Sequence, residues 1–153
     1  MARKTFNEKL NDSKNMPFVE TMTDPKAVAR YGEKMLIAPP LYYDAIMKSV
    51  PEGKVVTSDS IRAYLAKNHG ADFTCWLTAG IFINVAANAS DERAGLDPTP
   101  WFRTLKKDGE LNEKYPGGIE NQKALLEEEG HEIVAKGKRL FVKDYVEKLW
   151  GIG

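Results

Sequence analysis

Nineteen residues from Asp72 to Ser90, DFTCWLTAGIFINVAANAS, carry a single charged side chain, and no other feature constrains the fold as strongly. A segment this apolar must be covered by the rest of the chain. It is long enough for a helix of about four turns, which the sequence predicts over 74–89. Its threonine, asparagine and serine keep it short of the roughly 18 continuous apolar residues that a membrane span requires. It is also rich in small residues, namely Ala79, Gly80, Ala86, Ala87 and Ala89.

The flanking segments supply partners for that helix. Leu41, Tyr42, Ala45, Ile46 and Val50 recur at helical spacing behind Pro39-Pro40, which predicts an amphipathic helix over 40–50. In VTSDSIRAYLAKNHG, Thr57 or Ser58 caps a helix whose inner face holds Ile61, Leu65 and Tyr64, with Gly70 as its stop. Followed by 74–89, this makes a helix-turn-helix unit. A strand is expected at Met35–Ala38 and a further helix over 119–130, ended by Gly130. Lys107-Asp108-Gly109 reads as the turn of a wing between two strand-like stretches, and Lys136-Gly137 as the turn of a second hairpin. A last short helix, Asp144–Trp150, closes the core with Tyr145, Leu149 and Trp150. Residues 1–34 read as a polar arm with helical pieces at Thr5–Leu10 and Pro25–Tyr31. The fold class expected is α+β, mainly helical: one winged helix-turn-helix-like domain with small β-hairpins. The 153 residues suffice for one such core and not for two.

Composition excludes several kinds of chemistry. Basic and acidic side chains number 22 each, so the excess of Lys and Arg that drives avid, non-specific nucleic-acid binding is missing. With one cysteine and two histidines, an internal disulfide, a multi-cysteine metal site and most zinc constellations are excluded, and a reducing cytoplasm is the expected setting. No phosphate-binding glycine signature or nucleophile elbow occurs, so no cofactor is expected. The start, MARKTFNEKLNDSKN, has no apolar signal core, so secretion is not expected. His131-Glu132 opens a strand, where neighbours point to opposite faces, so His131 is read as solvent-exposed rather than catalytic. Glu127-Glu128-Glu129 is read as a solvated face. Cys75, among Phe73 and Trp76, is read as a buried structural thiol, with an unrecognised cysteine enzyme as a weaker reading. Basic residues cluster at Arg103, Lys106 and Lys107 and again at Lys136, Lys138 and Arg139.

Three ordered stretches carry a resemblance. VPEGKVVTSDSI (50–61), PWFRTLKKDG (100–109) and YPGGIENQKALLEEEG (115–130) resemble the DNA-binding domain of the alkylguanine-DNA alkyltransferases and their non-catalytic relatives, the alkyltransferase-like proteins. The likeness runs from about Leu41 to Gly130. It implies a winged-helix DNA-binding domain at 35–130; the arm at 1–34 and the C-terminal hairpin and short helix at 131–153, packed on the same domain, lie outside the resemblance.

The resemblance also implies where chemistry has been lost. Alkyl transfer in the family needs an activated thiolate with a histidine after it; here Trp101 and Phe102 hold those two positions. An indole is no alkyl acceptor, so no enzyme is expected. The alkyltransferase-like proteins share the tryptophan but keep the histidine, and they sense alkylated DNA and hand it to excision repair. The family's base-rotating tyrosine aligns with Ser58, and its stack-filling arginine with Leu77, which can still act as an apolar wedge. The expected DNA contacts are therefore Thr57 and Ser58 on phosphate, Leu77 as wedge, Gly80 on a helix approaching the minor groove, Trp101 on the base, and Arg103, Lys106 and Lys107 on the wing. The small residues of 74–89 serve equally for close helix packing, Trp101 equally as a core plug, and Arg103 equally as a support of the loop. The partners implied are double-stranded DNA, alkylated or distorted, and excision-repair proteins, with no membrane. The alternative is a protein-interaction module that keeps the scaffold without DNA contact.

Overall fold

The computed structural model describes residues 3–153 and has an α+β, mainly helical architecture. In chain order its elements are α1 (Phe6–Leu10), β1 (Phe18–Thr21), α2 (Pro25–Tyr31), β2 (Lys34–Ile37), α3 (Pro40–Ser49), β3 (Val56–Thr57), α4 (Ser58–Asn68), β4 (Phe73–Thr74), α5 (Trp76–Glu92), β5 (Thr104–Leu105), α6 (Gly118–Glu128), β6 (Ile133–Lys136) and β7 (Arg139–Val142). Short 3-10 turns stand at Trp101–Arg103, Lys107–Gly109 and Tyr145–Lys148. No described helix is long and apolar enough to cross a membrane.

The helix starts follow from local hydrogen bonding. The Thr57 hydroxyl accepts from the Ser60 N–H at 3.1 Å, and the Ser60 hydroxyl accepts from the Thr57 N–H at 3.0 Å, a capping box with serine in the role usually given to Glu or Gln. Asp24 caps α2 ahead of Pro25, and Pro40 opens α3 with its φ already set. Helix α5 lies across the middle of the fold and packs on α3, α4 and α1. Ala79, Ala86, Ala87 and Ala89 are all buried there, so the small residues of α5 let protein helices approach, and only Gly80 is exposed. The main core joins these alanines to Leu36, Tyr43, Met47, Ile61, Leu65 and Ile83. A second cluster holds Val55, Leu105, Leu111, Leu126 and Val142.

The N-terminal segment does not extend away as an arm. The Glu92 carboxylate at the end of α5 accepts the Phe6 and Asn7 backbone N–H groups at 2.9 and 3.1 Å, which docks α1. Strand β1 pairs antiparallel with β2, and β2 pairs in parallel with β4. The second sheet sets the site: β3 runs parallel to β5, Val56 opposite Thr104 and Thr57 opposite Leu105, which brings the start of α4 beside Lys106.

The expected wing is short. The Lys107–Gly109 turn forms and returns the chain as far as Lys106, whose N–H donates to the Glu110 carbonyl at 2.8 Å, without pairing to β5 itself. Glu110 bridges to Phe141 and the Leu111 N–H donates to the Leu140 carbonyl at 2.9 Å, so that segment borders β7 instead. The antiparallel hairpin of the domain is β6–β7. Gly137 stands at the first position of its two-residue loop with φ 64°, as a type II′ turn requires. The C-terminal helix is only a 3-10 turn. The chain around it pairs beside β3 through Val55 and Leu149, while Trp150 packs on the main core.

Candidate nucleic-acid interface

One open groove of about 620 Å³ lies between the beginnings of α4 and α5 and the loop segments 105–107 and 112–115. Of the eight predicted contact residues, Ser58, Leu77, Gly80, Lys106 and Lys107 line it. Leu77 stands 56% exposed on the first turn of α5, and Gly80 lies one turn further along. A Cβ at Gly80 would meet nothing within 4 Å. Protein packing therefore does not demand glycine there, although glycine inside a helix costs about 1 kcal/mol relative to alanine.

The groove carries positive charge within a neutral chain. Arg30, Arg62, Lys106, Lys107 and Lys114 line it, against Asp59 and Glu113. Part of this charge is neutralised: Arg62 is paired with Asp59, and Lys106 Nζ lies 3.8 Å from Glu110. Arg30, Lys107 and Lys114 form no ion pair among the described residues. Glu110 also takes a two-pronged contact from Arg139 at 2.8 and 3.0 Å, and chiefly this hydrogen bonding holds its carboxyl below the usual range. Arg139 and Lys106 thus converge on one carboxylate, which binds the hairpin to the 106–109 turn.

Three predicted contacts face inward. Thr57 is buried with its hydroxyl committed to the α4 cap, so it does not reach a phosphate. Arg103 is turned into the fold, where it pairs with Glu129 and donates to the Val50 carbonyl at 2.8 Å. Glu129 is for the same reason not part of a solvated acidic face. Trp101 is 8% exposed and does not line the groove. Its ring packs edge-on against Phe102 and 5.2 Å from the ring of Tyr115, a residue of the groove lining. The Tyr115 hydroxyl donates to the Thr104 carbonyl at 2.8 Å, and burial pushes its pKa far above the ordinary phenol. Trp101 is thus a core residue and not part of the groove lining.

His131 is also corrected: it is buried, and neither ring nitrogen has a partner among the described residues. Cys75 is half-buried at the N-cap of α5 and does not line the groove.

Sequence reasoning missed the polar support of the groove. Gln122 is fully buried on α6; its carbonyl accepts from the Asn112 N–H at 2.7 Å and its amide donates to the Phe102 carbonyl at 3.1 Å. Asn112 in turn donates to Asn84 Oδ1 at 2.9 Å, which fixes the Asn84 amide at the groove wall. A lone Gln in a polar helix gives no one-dimensional signal of this role. Trp76 was missed as well. It is 65% exposed on the rim, and it was hidden in an apolar run that reads as core.

The sequence matches no protein-family model and no curated protein sequence. Among solved structures the chain is similar to S. pombe Atl1 in complex with damaged DNA containing O6-carboxymethylguanine. That likeness has 26% identity over 72% of this chain and 91% of that chain, at a TM-score of 0.46. It is similar to a second structure, S. pombe ATL in complex with DNA, with the same identity and coverage and a TM-score of 0.45.

Proposed function

We propose that the protein is a non-enzymatic DNA-binding protein of alkyltransferase-like character, which engages duplex DNA through the groove between α4, α5 and the 105–115 segment. The observation that carries this reading is the groove itself: a concave surface with Lys107 and Lys114, which form no ion pair among the described residues, beside an exposed Leu77 and an unforced Gly80. Such cations are available to phosphates, a bare helix backbone admits close approach, and an exposed leucine is suited to wedge between bases. The sequence trio around Thr57, Arg103 and Gly117-Gly118 supports the same reading by resemblance. Trp101 and Phe102 leave no nucleophile at the family's acceptor position, so the interaction is binding without transfer. Lesion sensing for excision repair in the cytoplasm extends the reading along the same resemblance.

Titration of the protein at stated low salt with a plain duplex and with one containing an alkylguanine tests it. Binding that weakens as salt rises, and is tighter for the alkylated duplex, is the expected result. Absence of binding to either duplex overturns it. One observation favours a second reading, a protein-interaction module: Trp76, Leu77 and Ile81 are each more than half exposed on one end of α5. Concentration-dependent association seen by sizing, lost in Ile81→Glu, would favour that reading instead.

A further inference from the structure

Helix α2 lies outside the stretch of family resemblance, yet Arg30 and Tyr31 at its end line the same groove as Trp76. The placement is built. Gly32 follows with φ 106° and packs on Asp72, whose carboxylate accepts the Glu33 and Lys34 N–H groups, each at 2.9 Å. The Tyr31 ring rests 5.6 Å from Phe73, three residues before α5 begins. Helix α2 buries no residue of its own, so this anchoring does not serve the core. It leaves Tyr31 47% exposed and Trp76 exposed, with the Arg30 guanidinium 5.2 Å from the tyrosine ring centroid.

Two exposed aromatic rings and an arginine that forms no ion pair among the described residues match an unpaired nucleotide. The exposed ring surface offers stacking to a base, and the guanidinium, held over the Tyr31 ring, offers charge to the adjoining phosphate. In intact duplex DNA the faces of the bases are already stacked, so such rings gain only where a base is out of the stack. We propose that α2 and the first turn of α5 form a stacking clamp for one unpaired nucleotide. Tyr31 and Trp76 take the base and Arg30 the phosphate, so the groove prefers DNA carrying an unpaired base over perfectly paired DNA. This rests on the DNA-binding reading and adds to it a ligand class that requires no alkyl group.

The test compares a perfect, unmodified duplex with the same duplex carrying a single-nucleotide bulge. The protein as it stands is expected to bind the bulged duplex at least about fivefold more tightly. Tyr31→Ala and Trp76→Ala, both surface changes whose folding is checked by circular dichroism, are expected to remove that preference by weakening the bulged duplex several-fold more than the perfect one. Tyr31→Phe and Trp76→Tyr keep a ring and are expected to keep the preference. Equal affinity for the two duplexes, or an equal loss on both in the alanine variants, overturns the clamp while DNA binding stands. Failure to bind either duplex overturns the DNA-binding reading and the clamp with it.

Discussion

The Arg103 guanidinium closes on the Glu129 carboxylate through Nε at 3.0 and 3.1 Å and Nη2 at 2.6 Å, joining the 101–103 turn to the end of α6. Both side chains are largely buried, at 15% and 7% exposure. Burial works against the Glu129 charge, but Arg103 and the Gly53 N–H outweigh it and hold the carboxyl below its ordinary range.

Arg103→Ala strands that carboxylate, and we expect a stability loss of about 3 kcal/mol, read as a lower urea midpoint. Arg103→Lys recovers only part, because an ammonium cannot reproduce the fork. Per folded molecule, DNA affinity stays near that of the parent. A selective loss of DNA binding with unchanged stability would return Arg103 to the phosphate contacts.

Trp101→Ala separates plug from platform in the same way. A buried indole removed from a packed site costs about 3–5 kcal/mol, whereas an exposed base-stacking ring costs little stability and much binding. With the ring 8% exposed and packed beside Tyr115, thermal unfolding is expected to register the loss first.

Gly80→Ala is expected to move stability and binding in opposite directions. The added methyl meets no protein atom and removes backbone freedom from the unfolded chain, for a gain of about 1 kcal/mol. The same methyl lies on the groove wall, where it holds a DNA backbone away, so duplex affinity falls several-fold. Unchanged affinity would show that no ligand backbone comes close to Gly80.

The helices were legible in the sequence because their ends are local events: Thr57 with Ser60, Asp24 before Pro25 and Gly130 after Glu129 declare boundaries within a few residues. Five of the eight proposed contacts also line one groove, since ordered motifs fix which loops meet. The rest depends on partners distant in sequence. Nothing in PWFRTL says that the Tyr115 ring will pack beside Trp101. Nothing in a run of three glutamates says that only Glu129 faces Arg103. A two-residue parallel pair such as β3–β5 has no period to read. Trp76 escaped because an apolar run reads as interior, and only the rotation of α5 against α3 turns its first turn outward.

Lys107 and Lys114 form no ion pair among the described residues and both line the groove. Each replaced by alanine is expected to weaken binding to all duplexes alike and to lower the slope of log affinity against log salt by about one. Arg139→Ala, by contrast, leaves the slope unchanged, because that charge is spent on Glu110. It is expected to shift only stability, by under about 1 kcal/mol.

His131 gives the fold a pH dependence of known sign. Burial chiefly pushes its pKa below the ordinary 6.5, with Lys148 adding to the effect and Glu129 opposing it. Above 6.5 the ring is neutral in both folded and unfolded chains and contributes no slope. As pH falls through that value the unfolded chain takes a proton that the native chain resists, so stability declines until the native pKa is reached. Glu129 and Glu110, also held below their ordinary 4.5, begin to lose their stabilising contribution only below that value, whereas the His131 window opens at 6.5. Urea midpoints measured above and below 6.5 should therefore fall with pH in the parent and less so in His131→Leu. At neutral pH the leucine costs little, since it removes two ring nitrogens that have no hydrogen-bond partner among the described residues. An identical slope in parent and variant would assign the pH dependence to another group.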